Sequence, residues 1–155
     1  ILHSAIGEGV ALETSFASDL WNTSVDPSNM ENAVLNLAIN ARDAMDGKGE
    51  LRIDVSNIEL DEAFTQLYPD VTPGQYVMLT VSDTGSGMSP DIIDKIFEPF
   101  FTTKPIGQGT GLGLSISHDI IQHHGGTMTV ESQLGAGTTF TIRLPLKQTD
   151  RADAA

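Results

Sequence analysis

The feature that most constrains this chain is a glycine-rich stretch that runs from Asp83 to Ser115. It opens with Gly85 and Gly87, and it closes with glycines at every second position: Gly107, Gly109, Gly111 and Gly113. Glycine lets a backbone approach a ligand closely and adopt positive φ angles. A long loop between ordered elements of a compact domain is usually functional or disordered. We therefore interpret the stretch as a nucleotide site with a mobile lid over about residues 99–109.

The overall charge narrows the choice of ligand. The chain of 155 residues carries a formal net charge of −13. This charge argues against a protein that binds the phosphate backbone of nucleic acids, since such a protein needs a basic face. The same charge means that a bound nucleotide requires local compensation from backbone amides, a helix N-terminus or a cation, for which Mg²⁺ is the obvious candidate. No apolar run approaches the ~20 residues of a membrane span, and the absence of cysteine excludes a disulfide framework.

The length is that of one domain with a proper hydrophobic core. The chain begins with Ile1 rather than methionine, from which we expect a piece of a longer protein. We divide it into a leader with an edge strand in residues 1–19, a domain in residues 20–147, and a polar tail, disordered or a linker, in residues 148–155.

A helix over about residues 27–45 is the best-supported element. Asp26 suits its N-cap and Pro27 suits its first position, and apolar residues at helical spacing form one stripe. A second stripe, at spacings of three and four residues, is polar and consists of Asn29, Asn32, Asn36, Asn40 and Asp43. Asparagine is a mediocre helix former. This stripe is therefore either a solvated face or a row of amide oxygens that faces a bound metal and phosphate.

The remaining patterns predict short strands and two further helices. Apolar runs predict strands at 11–16, 21–25, 51–55, 76–81, 127–132 and 138–146, with a helical turn inside 61–74. A short helix is predicted at 90–97, and a longer one at 111–124 with Leu112, Ile116 and Ile120 on one face. The predicted fold is α+β: a two-layer α/β sandwich with three main helices on one face of a mixed, mostly antiparallel sheet of about five strands.

Two common nucleotide motifs are missing. The chain lacks GxxxxGK[ST], and the GxGxxG pattern fails because Leu114 stands where the glycine after Gly109 and Gly111 should be. Four segments in a fixed order remain: NLAINARDAM, DTGSGM, FEPFFTTK and GTGLGLS. This set closely resembles the catalytic and ATP-binding domain of bacterial sensor histidine kinases, within the wider family of gyrase, Hsp90 and MutL ATPases. The resemblance covers about residues 20–146 and implies the Bergerat-type form of the two-layer fold.

The resemblance implies ATP and Mg²⁺ as cofactors and gives a role to each matching residue. Asp83 would accept a hydrogen bond from the exocyclic amine of adenine, and Asn40 would bind Mg²⁺ with support from Asn36 one turn earlier. Gly85 and Gly87 would let the backbone pass against the purine. The other nucleotide contacts that it implies are Phe97, Lys104, Gly109, Thr110, Gly111, Leu112, Gly113, Leu114 and, through water, Thr139.

The segment between the two glycine clusters leaves alternatives open. Phe97 is either a lid-side contact or part of the core, and Phe100 and Phe101 are expected to dock against a partner domain. Lys104 is expected on the γ-phosphate, with a solvated lysine as the alternative. Many histidine kinases carry a basic residue at the position of Asp43. A phosphate contact from that position is therefore not expected, and more of the charge compensation falls to Lys104.

Residue 36 discriminates between branches of the family. The ATPase branch has a glutamate there as a base, whereas Asn36 carries an amide that cannot take a proton. The resemblance then implies Asn36, Asn40 and Lys104 as catalytic residues for phosphoryl transfer to a histidine on a separate dimerising helical hairpin. From there the phosphoryl group would pass to the receiver domain of a response regulator. None of the four histidines of this chain has the sequence context of the acceptor.

These inferences lead to one main hypothesis and two alternatives. We expect a kinase domain that is cytoplasmic, alone or as the cytoplasmic part of a membrane-bound kinase, and monomeric when isolated. We expect it to contact neither nucleic acid nor membrane. The first alternative is a nucleotide-binding regulatory module without catalysis, for which Asp43 is the only support. The second, less favoured because of Asn36, is a stand-alone ATPase.

Overall fold

A computed structural model describes residues 2–23, 25–69, 71–99, 101 and 113–146, without the side chains of residues 2 and 3. The helices and strands, in chain order, are α1 (Leu2–Ile6), β1 (Val10–Phe16), α2 (Pro27–Ala44), β2 (Gly49–Leu60), α3 (Glu62–Leu67), β3 (Gly74–Asp83), α4 (Pro90–Ile93), α5 (Gly113–His123), β4 (Thr127–Gln133) and β5 (Gly137–Pro145). The strands form a five-stranded sheet in the order β1–β2–β3–β5–β4.

The sheet is mixed and mostly antiparallel, which confirms the predicted fold class. β1 runs parallel to β2, whereas the β2–β3, β3–β5 and β4–β5 pairs are antiparallel. α2 joins β1 to β2 and supplies the long crossover that a parallel pair needs. The central strand β3 ends at Asp83, which pairs with Leu51 near the start of β2 and with Thr138 at the start of β5. Three chain segments therefore converge at this end of the sheet.

α2 begins and ends as its sequence predicts. The Asp26 carboxylate accepts hydrogen bonds from the backbone N–H groups of Ser28 and Asn29, and Pro27 occupies the first turn, where its missing N–H costs nothing. The helix ends before Asp46 and Gly47, which both have positive φ angles of 53° and 79°. Its apolar stripe is buried against the sheet through Ala33, Leu37, Ala38 and Ala41.

The main core lies between the helices α2 and α5 and one face of the sheet. Along β5, the side chains of Phe140, Ile142 and Leu144 are buried, and these are the alternate residues that the period of two predicts. Leu37 of α2 and Ile121 of α5 close the same cluster from the helix side. This packing holds α2 and α5 in fixed positions over the end of the sheet that carries Asp83.

The buried face of α5 differs from the predicted one. Ile116 is 47% exposed, whereas Ser117 and Ile121 are fully buried. α5 packs closely against α2, and a serine at the contact leaves room for the neighbouring backbone where isoleucine would not. The spacing of apolar residues alone therefore predicted the wrong buried face of α5. Leu112, the third residue of the predicted face, lies outside the described residues.

The strand predicted at 21–25 is absent from the described residues of that segment. Its backbone is instead held by side-chain contacts: the Trp21 N–H donates to Asn57 Oδ1 at 2.8 Å, and Asn57 Nδ2 donates to the Asp19 carbonyl at 2.8 Å. Thr23 Oγ1 donates to the Pro145 carbonyl at 2.6 Å. The segment thus passes from β2 to β5 without joining the sheet.

Two helices differ from the prediction: α4 is shorter than predicted, and α1 was not predicted at all. α4 covers only 90–93 of the predicted 90–97, because the following N–H groups of Lys95 and Glu98 bond three residues back and tighten the chain into turns. This turn buries Ile96. α1 places Ile6 in the main core.

One helix lies on the opposite face of the sheet. α3 brings Phe64 against a second apolar cluster around Leu60, Val71 and Tyr76. The Phe64 ring also lies 5.0 Å from the guanidinium carbon of Arg143. The three predicted main helices, α2, α4 and α5, contribute residues to the main core, whereas α3, predicted only as a helical turn within 61–74, lies on this other face. Among the described residues, no helix is long and apolar enough to cross a membrane.

Candidate functional site

The site is organised around Asp83, at the C-terminal end of the central strand. Its carboxylate accepts the backbone N–H of Gly85 at 2.8 Å and a backbone hydrogen bond from Thr138. Burial raises the pKa of Asp83, and these two hydrogen bonds only partly oppose the rise. A desolvated carboxylate that is fixed by backbone donors is a strong acceptor for a further N–H group.

The threonine beside Asp83 is Thr138 and not Thr139. Thr138 is buried and pairs directly with Asp83 across β3 and β5, so the two residues share a face of the sheet. Thr139 pairs with Ser82 on the opposite face, where their hydroxyl groups lie 2.9 Å apart. On that face Thr139 does not lie beside Asp83, so the structure gives no support to the nucleotide contact that the sequence predicted for it. The alternation of side chains along β5 could have identified Thr138, because Phe140 is a core residue and Thr138 lies two residues before it, on the same face.

Ser132 of β4 fixes the orientation of the Thr138 hydroxyl. Ser132 Oγ donates its only hydrogen to the Gly137 carbonyl at 3.1 Å and accepts the Met88 N–H at 2.8 Å. The Thr138 hydroxyl, 2.8 Å away, must then donate to Ser132. The Thr138 hydroxyl is thus bonded to β4, while the residue itself lies opposite Asp83 on β3. Ser132 was not identified from the sequence, because it lies in a strand of mixed polar and apolar residues where nothing distinguishes it.

The glycine loop, residues 84–88, is pressed between two other parts of the protein. A Cβ on Gly85 would lie 2.8 Å from the Ala44 carbonyl oxygen at the end of α2. Gly87 has a φ of 72°, and a Cβ there would lie 2.0 Å from the Gln133 carbonyl oxygen in the β4–β5 hairpin. The Ser86 N–H donates to the Ala44 carbonyl at 3.1 Å. These two glycines thus permit contact with protein backbone, a reason that differs from the predicted approach to a purine.

The asparagine stripe of α2 has two parts. Asn29 and Asn32 are exposed, whereas Asn36 and Asn40 are partly buried. Asn36 Nδ2 lies 3.4 Å from the Gly113 carbonyl and 3.3 Å from Ser117 Oγ, both on α5. The solvated-face interpretation therefore fits the first half of the stripe, and Asn36 in the second half faces the first turn of α5.

The acidic residue at position 43 is paired within its own helix. Asp43 Oδ1 accepts from Nε and Nη2 of Arg42 at 3.2 and 3.0 Å. Arg42 Nη1 also donates to the Ala5 carbonyl in α1 at 2.7 Å. The guanidinium group of Arg42 is thus directed towards α1.

Phe97 packs as a core residue in this structure. Its ring stacks on the ring of His118 with centroids 4.6 Å apart, and it meets the ring of Phe140 edge-on at 6.5 Å. Leu114 and Phe101 are partly buried against the same core. This packing is the structural alternative that the sequence left open for Phe97.

Several predicted site residues lie outside the described residues, and their roles stay predictions. They are Phe100, Lys104, Gly107, Gly109, Thr110, Gly111 and Leu112, and the predicted lid over about 99–109 falls mostly within the same gap.

Two histidines of α5 and its C-terminal end, His118 and His124, have structural contacts. His118 is stacked on Phe97 as above. His124 Nε2 accepts the Asp26 N–H at 3.0 Å, and its Nδ1 lies 2.7 Å from the Ile120 carbonyl. Since a carbonyl only accepts, Nδ1 carries the hydrogen, and the ring bridges the N-terminus of α2 to the C-terminal turn of α5. Among the described residues, no group of three or more His, Cys, Asp and Glu side chains could hold a metal ion.

The site combines three features. The partly buried carboxylate of Asp83 can accept a hydrogen bond from an amine, and the Asn36 amide on α2 lies beside the start of α5 at Gly113. Residues 25–148 match the family described as histidine kinase-, DNA gyrase B- and HSP90-like ATPase, which is most of the chain. The chain belongs to this family. Both the predicted family and the predicted two-layer fold are therefore confirmed. This ATPase-like domain is one of those found in sensor histidine kinases, as its relatives indicate.

Two curated relatives illustrate the similarity. The chain is 43% identical over 156 residues to sensor kinase CckA of Brucella abortus, an alignment that covers 100% of the chain and 16% of the relative. It is 39% identical over 124 residues to sensor histidine kinase ZraS of Escherichia coli K12, covering 80% of the chain and 23% of that protein. The ATPase-like domain thus spans less than a quarter of the length of these relatives.

Solved structures give the same result for the fold. The mycobacterial sensor histidine kinase MprB superposes with a TM-score of 0.70 at 26% identity, over 90% of this chain and 83% of that chain. Full-length ShkA in complex with AMPPNP gives a TM-score of 0.69 at 27% identity, over 93% of this chain and 26% of that chain. The ATPase-like domain therefore has the fold of histidine kinase catalytic domains.

Proposed function

We propose that this domain binds Mg-ATP and transfers the γ-phosphoryl group to a histidine on a separate helical hairpin, as the catalytic part of a sensor histidine kinase. The observation that carries the choice of kinase is Asn36. Its amide donates to α5, and it has no basic group to remove a proton from water. A domain without such a base hydrolyses ATP poorly and needs a nucleophile supplied from elsewhere.

Asp83 supports the choice of an adenine nucleotide. A carboxylate accepts a hydrogen bond from the 6-amino group of adenine, whereas the 6-keto oxygen of guanine would face a like charge. Partial burial strengthens this discrimination, because electrostatic interactions are stronger where the carboxylate is less solvated. Thr138, the direct partner of Asp83 on β5, carries a hydroxyl that would be a second polar group on this face.

The residues at the other end of the site fit a Mg²⁺ ion bound together with phosphate. Mg²⁺ takes few protein ligands and keeps waters and phosphate oxygens. The orientation of the Asn36 amide leaves its oxygen off α5, and Asn40 lies one turn further along the same side of α2. In this role Asn40 holds the ion, which would neutralise charge on the phosphates. The start of α5 at Gly113 would place N–H groups and the helix dipole near the phosphates.

The rest of the proposal concerns partners. The acceptor histidine belongs to a dimerising hairpin, and the receiver domain of a response regulator takes the phosphoryl group from it. This relay would place the domain in the cytoplasm.

One observation favours a second candidate, a nucleotide-binding regulatory module that lacks catalysis. Asp43 stands where many histidine kinases have a basic residue, and the adjacent Arg42 is engaged by Asp43 and by Ala5. Charge on the phosphates would then be compensated only by Mg²⁺ and by residues outside this part of α2.

The two candidates differ in one measurable reaction. ATP titrations with Mg²⁺ and with EDTA report binding, and incubation with [γ-³²P]ATP and a supplied hairpin domain reports transfer. The kinase proposal expects Mg²⁺-dependent binding and acid-labile label on the hairpin, lost when its acceptor histidine is replaced or when Asp83→Asn is used. Binding without transfer favours the regulatory module. Appreciable ATP turnover by the domain alone contradicts the argument from Asn36.

A further inference from the structure

We propose that Ser117 is a positioning residue, which fixes the end of the Asn36 amide that faces the nucleotide. The proposal rests on the function proposed above, in which Asn36 serves the nucleotide and metal. Ser117 has a fully buried side chain on α5 at the contact with α2.

The geometry forms a short relay of hydrogen bonds between the two helices. Ser117 Oγ donates to the Ala33 carbonyl at 3.4 Å, one turn before Asn36 on α2. Asn36 Nδ2 donates to Ser117 Oγ at 3.3 Å and to the Gly113 carbonyl at 3.4 Å. Four groups on two helices are thus joined in one chain.

The direction of every hydrogen bond in this relay is determined. A backbone carbonyl can only accept, so the single Ser117 hydrogen goes to Ala33. Ser117 Oγ can then only accept from Asn36, so the Asn36 amide must donate one of its N–H groups to it. The Gly113 carbonyl imposes the same choice on the second N–H of the amide. With both N–H groups used on α5, Oδ1 is the end of the amide directed away from α5.

This direction matters because only the oxygen end can serve a cation. An amide oxygen is a hard ligand that suits Mg²⁺ or its waters, whereas an NH₂ group repels the ion. Without Ser117, the Gly113 carbonyl alone holds the amide, at a distance where a hydrogen bond is weak. The amide then gains freedom to rotate and to place its NH₂ group towards the metal.

The same relay ties the first turn of α5 to α2. Gly113 begins α5, and Asn36 bonds to its carbonyl. A carboxylate at position 36 would have no N–H for this carbonyl, and it would place two acceptors against each other. Asn36 and Ser117 are therefore matched in polarity, and Asn36→Asp reverses the match without changing size.

The test uses NMR of the Asn36 side-chain amide together with nucleotide binding. In the unliganded protein labelled with ¹⁵N, the two Asn36 Nδ2 protons should be resolved and slow to exchange, and Ser117→Ala should shift them and speed their exchange. With nucleotide, Ser117→Ala should lower ATP affinity in Mg²⁺ by about three- to tenfold, the effect of one lost hydrogen bond, and leave the affinity in EDTA within about twofold.

Matched controls separate positioning from general packing. Ser115→Ala removes the hydroxyl of another buried serine on the same helix and should leave the Asn36 resonances and the ratio of affinities unchanged. The exposed Asn32 amide serves as an internal reference. Ser117→Cys, which keeps a weak donor of similar size, should lie between the wild type and Ser117→Ala, and it replaces that variant if it fails to fold.

Two results overturn the proposal: unchanged Asn36 resonances in Ser117→Ala, or shifted resonances with an unchanged ratio of affinities in Mg²⁺ and EDTA. The resonances need no nucleotide. Unperturbed Asn36 resonances thus refute the role of Ser117 by themselves. A wild-type protein that binds ATP equally well in Mg²⁺ and EDTA instead contradicts the proposed function, and with it the role of Ser117 at a metal.

Discussion

The backbone of Thr138 donates a hydrogen bond to the carboxylate of Asp83, its direct partner across the β3–β5 pair. The next residue, Thr139, has its hydroxyl on the opposite face of the sheet, bonded to Ser82. The two threonines are thus a natural pair of test and control positions, alike in chemistry and adjacent in sequence.

Replacing each threonine by valine tests which of them serves the nucleotide. Thr138→Val removes the hydroxyl beside Asp83, so we expect a loss of ATP affinity of about three- to tenfold, the usual effect of one hydrogen bond. Thr139→Val should leave the affinity within about twofold. Isothermal titration calorimetry measures both. A larger loss in Thr139→Val would return the role to the residue that the sequence predicted.

Asp83→Asn should have opposite effects on binding and on stability. Affinity for ATP should fall at least about tenfold, since hydrogen bonds to charged groups contribute about 1.5–3 kcal/mol. Stability without ligand should rise, because the neutral amide removes the cost of burying a charge, which raises the pKa of the native carboxyl group. Thermal unfolding with and without ATP measures the two changes. A lower melting temperature in the unliganded variant would show that burial is not the dominant influence on Asp83.

The pH dependence follows from the same raised pKa. Between the ordinary pKa of an aspartate and the raised pKa of Asp83, the native state binds more protons than the unfolded state, so the free energy of unfolding falls as pH rises. The affinity for ATP should rise with pH over the same window, since only the ionised carboxylate is the strong acceptor. Denaturation and titration at matched pH values test these opposite slopes, and Asp83→Asn should lose both.

Gly87 and Gly135 separate the cost of a close contact from the cost of a positive φ. Their φ angles are 72° and 80°, but a Cβ would lie 2.0 Å from the Gln133 oxygen in the first case and meets nothing within 4 Å in the second. Gly135→Ala should cost about 1–2 kcal/mol, and Gly87→Ala should add about 1–3 kcal/mol of overpacking. Urea denaturation compares the two. Equal losses would mean that the hairpin moves aside without cost.

Asn40→Ala tests the proposed metal ligand. In EDTA the affinity for ATP should stay close to that of the wild type, because Asp83 and the glycine loop are untouched. The gain in affinity on adding Mg²⁺ should disappear, since the ion loses its side-chain ligand. Asn32→Ala, on the exposed part of the same stripe, is the control. Retention of the full Mg²⁺ effect in Asn40→Ala would remove this residue from the metal site.

Local sequence patterns predicted the elements whose causes are local. The cap at Asp26, the apolar stripe of α2 and the alternation of β5 each depend on residues that are neighbours in the chain or one turn apart. For that reason α2 was predicted to within one residue at its C-terminal end. The four motif segments, taken together, indicated the family and hence the two-layer fold with a mixed, mostly antiparallel sheet.

The parts that could not be predicted depend on contacts between distant residues. Asn57 holds the backbone of residues 19 and 21 across more than thirty positions, so apolar content alone made 21–25 resemble a strand. Gly87 could be recognised as a residue that needs space, but the sequence does not tell whether a ligand or the hairpin at Gln133 takes that space. Ser117 is fully buried, although its polar side chain gives no sign of this in the sequence.

The last turn of α2 holds two segments that are far apart in the chain. Its Ala44 carbonyl holds the glycine loop through Ser86, and Arg42 holds α1 through the Ala5 carbonyl. A Cβ on Gly9, just after α1, would lie 2.2 Å from the Gly47 oxygen, so this junction has no slack. A movement of α1 would therefore act on the turn that supports the glycine loop. By reciprocity, whatever occupies that loop changes the work needed to move α1.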